Sequence, residues 1–144
     1  MTQKRFKILI FGARGNDFSM MVKSFLSAVM DQDPEDLCTF EYVFPLDSKN
    51  PELSLKRYAG REFDLIVVDF YPTHTAQSWI DIFYHSLSLD QRHRLVVHFS
   101  ELRLDPAVEY PIPMKYHHYP RIAANADSYD DEKAIFRKLL KLDA

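Results

Sequence analysis

Cysteine is almost missing from this chain: Cys38 stands alone among 144 residues. A single thiol forms no internal disulfide, which fits a reducing compartment and a cytoplasmic protein. Glycine is scarce, with three residues. Neither sign of charge dominates, since 18 basic residues face 21 acidic ones for a net charge of −3. No basic stripe stands out, and nucleic acid is not an expected partner. No apolar run is long enough to cross a bilayer, so no membrane partner is expected either. The polar start, Met1 to Lys7, leads into only a short apolar segment, unlike a signal peptide. Repeats, low-complexity tracts and linkers are absent, and residues 1–144 read as one domain. No G-x-S-x-G elbow is present, and the six histidines form no metal motif. Neither a metal nor a cofactor is expected, and no enzymatic activity is indicated.

Hydrophobic residues make up 47% of the chain, enough for a real core. KILIFG, Lys7 to Gly12, is a continuous apolar run of the kind that forms a strand buried on both faces. Phe18, Met21, Val22, Phe25, Leu26 and Val29 then share one helical face. The stretch Asp31 to Asp36 ends that helix. Cys38, Phe40, Tyr42 and Phe44 alternate as on a strand. A short helix is expected at Glu52 to Ala59, capped by Gly60.

FDLIVV, Phe63 to Val68, is a second wholly apolar strand and is bounded by Asp69. Trp79, Ile80, Phe83, Tyr84 and Leu87 have helical spacing within Thr75 to Leu87. Leu95 to Phe99 is a fourth strand. Ile112 to Tyr119 is read as a fifth, held to an edge by Pro111 and Pro113. A last helix covers Asp130 to Leu142. Strands alternating with helices predict a parallel α/β sheet, doubly wound, with chemistry at the carboxyl ends of its strands.

FDLIVVDFYP, Phe63 to Pro72, resembles the third strand of response-regulator receiver domains, where an apolar run ends in the phospho-acceptor aspartate. KILIFG with its amphipathic helix, KRYAGREFDLIVVD, and LVVHFS, Leu95 to Ser100, are similar to the same family. The resemblance covers most of the chain through short, mainly apolar motifs. It implies a flavodoxin-like, CheY-like sheet of five strands in the order 2-1-3-4-5, with a reduced fourth helix. Asp69 would be the phospho-acceptor, and Ser100 and Lys115 would be switch residues. The family also places an acidic pair after its first strand to hold Mg²⁺, and here those positions are Gly12 and Ala13. A hard divalent cation needs several oxygen ligands. The resemblance therefore implies a stand-alone pseudo-receiver of two-component signalling, without efficient aspartyl phosphorylation. It would act through protein–protein interaction with a kinase or regulatory protein, and a homodimer is open.

Rival readings stand beside these. Asp69 can equally be a turn residue accepting backbone N–H bonds. The turn carrying Gly12, Arg14, Gly15 and Asn16 can cradle a nucleotide or phosphate group at a helix N-terminus, or can simply be a tight strand-to-helix turn. Tyr110, Tyr116, His117 and Tyr119 can form a recognition patch or pack an edge strand. Asp69 with His98 or His74 would make a catalytic pair.

Overall fold

The structure, a computed structural model, describes residues 5–12, 16–43, 61–70, 74–99, 114–116, 118–120 and 129–142. The element order is β1 (Phe6–Phe11), α1 (Asn16–Met30), α2 (Pro34–Leu37), β2 (Cys38–Val43), β3 (Leu65–Phe70), α3 (His74–Ser86), α4 (Leu89–Arg92), β4 (Leu95–Phe99), a 3₁₀ turn (Met114–Tyr116) and α5 (Tyr129–Leu139). The four strands form one sheet in the order β2-β1-β3-β4, with every pairing parallel.

Alternation along the strands divides the core in two. Ile8, Ile10, Leu65, Val67 and Val96 face Val22, Phe25, Leu26 and Val29 of α1 and Phe136 of α5. Leu9, Phe11, Ile66, Val68, Leu95 and Val97 face the other way, against Ile80 and Phe83 of α3. Each side is locked by an aromatic pair. Phe25 and Phe136 meet edge to face at 4.7 Å, and Phe11 stacks on Phe83 at 4.3 Å. Helices on both faces explain why β1, β3 and β4 are mainly apolar, with Lys7, Asp69 and His98 as their ionisable residues. On the edge strand β2, Cys38, Phe40 and Tyr42 share the α1 side as expected, while Val43 is buried on the other side.

Local chemistry sets the joints. Asp31 ends α1 with φ 56°, a left-handed position that aspartate tolerates better than most residues. Within the stretch read as a helix stop, Asp33 caps α2 by accepting from the Glu35 amide at 3.0 Å. The carbonyls of Glu35 and Cys38, at the end of that turn, accept from the Arg5 guanidinium at 3.2 and 2.8 Å. Ser88 and Gln91 form a reciprocal capping box on α4.

The expected fifth strand is corrected in its middle. Met114–Tyr116 is a 3₁₀ turn. Tyr116 is 2% exposed and packs into the core beside α3, which curls the chain off a strand path. The Val97 amide, on the outer edge of β4, donates to the Pro120 carbonyl at 2.9 Å. The expected helix at 52–59 and the segment expected to carry a reduced fourth helix lie outside the described residues.

Candidate functional site

The carboxyl ends of β3 and β4 carry the polar pair of the sheet. Asp69 is the fifth residue of LIVVDF and His98 the fourth of LVVHF, and the register sets them side by side. Asp69 therefore lies within β3, one residue further into the sheet than its reading as a strand boundary placed it. Its side chain follows Leu65 and Val67 onto the face covered by α1 and α5, and that of His98 follows Val96. His98 Nδ1 and Asp69 Oδ1 are 3.0 Å apart. The residues are 8% and 4% exposed.

An ionised carboxylate only accepts hydrogen bonds, so with Asp69 ionised the shared proton sits on His98 Nδ1. That arrangement fixes the orientation of the ring. Burying polar groups costs desolvation, and the bond between the two side chains offsets part of that cost. Among the described residues no buried side-chain nitrogen or oxygen lacks a hydrogen-bond partner.

Gly12 continues β1 beyond Phe11, which pairs with Val68, so the register brings Gly12 level with Asp69. Gly12 is buried, and its amide donates to the Val43 carbonyl at 3.1 Å. The Gly12 N–H is therefore committed to the sheet, and the donors of the anion-cradle reading are those of the α1 N-terminus. Asn16 opens α1, whereas Arg14 and Gly15 lie outside the described residues.

No family model, curated protein or solved structure matches the chain.

Lys115 engages α3 instead of the Asp69 carboxylate. Its ammonium donates to Asp81 Oδ1 at 2.5 Å and lies 3.3 Å from His85 Nε2. It also sits over the rings of Tyr84 and Tyr116, 5.2 and 5.1 Å from their centroids. The bond from Lys115 holds the Asp81 carboxyl below its ordinary value against opposing burial, and the Tyr116 hydroxyl adds to it. Tyr116 donates to Asp81 at 3.1 Å; burial, with Asp81 beside it, raises its phenol far above the usual range.

Tyr116 is thus core and cannot present its ring as a recognition surface. Tyr119 is half-buried, and its hydroxyl lies 2.9 Å from that of Tyr84. Burial and that contact push the Tyr119 phenol up to about 12. Ser100, Tyr110 and His117 lie outside the described residues.

Asp81 was not singled out in the sequence, where it is one acid on an exposed helix flank. Among the described residues no group of three or more His, Cys, Asp or Glu side chains could hold a metal ion. No helix among them is long and apolar enough to cross a membrane.

Proposed function

We propose that this chain is a receiver-like signalling module of the cytoplasm that acts through protein contacts and does not use Asp69 as a phospho-acceptor. The observation that carries the reading is the buried Asp69–His98 bond at 3.0 Å. An acceptor oxygen must meet a phosphoryl donor and Mg²⁺, whereas Asp69 Oδ1 meets an imidazole. Gly12, level with Asp69, supplies no carboxylate for the metal. The partner in this reading is a kinase or regulatory protein, or a second copy of the chain. The sheet is taken as flavodoxin-like, with the outer side of β4 as the place of its fifth strand.

Titration with Mg²⁺ and beryllofluoride, followed by amide NMR, tests this reading. The amides around Asp69 are expected to stay unshifted. Saturable shifts there would show a working acceptor and overturn it. Thermal-shift screening with nucleotides and flavins tests the phosphate-binding alternative at the Gly12–Asn16 turn, and no stabilisation is expected.

The same bond supports a second reading, in which His98 is a general base oriented by Asp69. Under that reading, hydrolysis of activated ester or phosphoester substrates would fall by roughly two orders of magnitude or more in His98→Gln. Equal background rates for the two proteins would remove it.

A further inference from the structure

We draw no further inference here: the strongest candidate, the polar cavity of about 760 Å³ between the amino ends of β1 and β3 and the α4 turn, mixes Arg5, Lys7, Arg61 and Arg94 with Glu62, Asp64 and Asp90, while Arg5 and Arg94 already cap backbone carbonyls and Arg61 pairs with Glu41, and nothing in the structure shows what occupies it.

Discussion

Asp69 and His98 illustrate how two residues change meaning once they are paired. Removing one partner of a buried hydrogen bond leaves the other desolvated and unsatisfied, which costs about 1–3 kcal/mol and more where that group is charged. Asp69→Ala should therefore lower stability in urea unfolding by about 1–3 kcal/mol. The double variant Asp69→Leu/His98→Leu should recover most of that loss, since an apolar pair of similar volume avoids desolvation. If the double variant is no more stable than Asp69→Ala, the pair contributes net stability that an apolar pair does not replace. Its position was legible in the sequence. LIVVDF and LVVHF each place an ionisable residue second from the carboxyl end of an apolar strand. The contact itself was not legible, because parallel register depends on the crossover and not on either strand alone.

Among the elements, the turn around Met114–Tyr116 is held by side-chain bonds to α3. Lys115 and Tyr116 both reach Asp81 on α3, and Pro120 takes the Val97 amide of β4. Tyr116→Phe keeps the ring but loses the bond to Asp81, which should cost about 1 kcal/mol. Tyr116→Ala also empties a core position and should cost about 3–5 kcal/mol. Chemical denaturation of both variants measures the difference between the hydroxyl and the ring.

The depressed Asp81 carboxyl sets the direction of the pH response. Its charged form is favoured by folding, so the stabilisation is present above its ordinary value of 3.8. It is lost as pH falls further, through the lower folded value. Exchange at the Val97 amide, corrected for its intrinsic pH dependence, should show less protection in that acid range. An Asp81→Asn variant should remove the acid step. The amphipathic faces of α1, α3 and α5 were readable because apolar spacing alone defines them. The 3₁₀ turn is not legible in the sequence because Tyr116 owes its place to Asp81 and Tyr84, which lie over 30 residues away. The Ser88–Gln91 capping box marks where α4 begins.

The whole molecule depends on a sheet with a core on each face. Phe136 is fully buried and joins α5 to α1 through Phe25. Phe136→Ala should cost about 3–5 kcal/mol and loosen that face first. Hydrogen exchange should then rise in α1 and α5 before it rises in α3; equal loss of protection in all three would mean that the faces open together. The α/β class was written in the three apolar strands, since only a sheet covered on both sides hides them. Function was far less legible. A sheet of this kind hosts many activities, and its chemistry is set by a few side chains at the strand ends.

Cys38 turns the thinness of the sulfur chemistry into an experimental advantage. Burial pushes its thiol up to about 11, and its sulfur rests 3.9 Å from that of Met30. The thiolate needed for alkylation is therefore scarce while β2 stays docked. With one cysteine in the sequence, every labelling event reports the same locus. Alkylation kinetics can thus clock how often the β2 edge of the sheet opens, without a dye or an engineered probe.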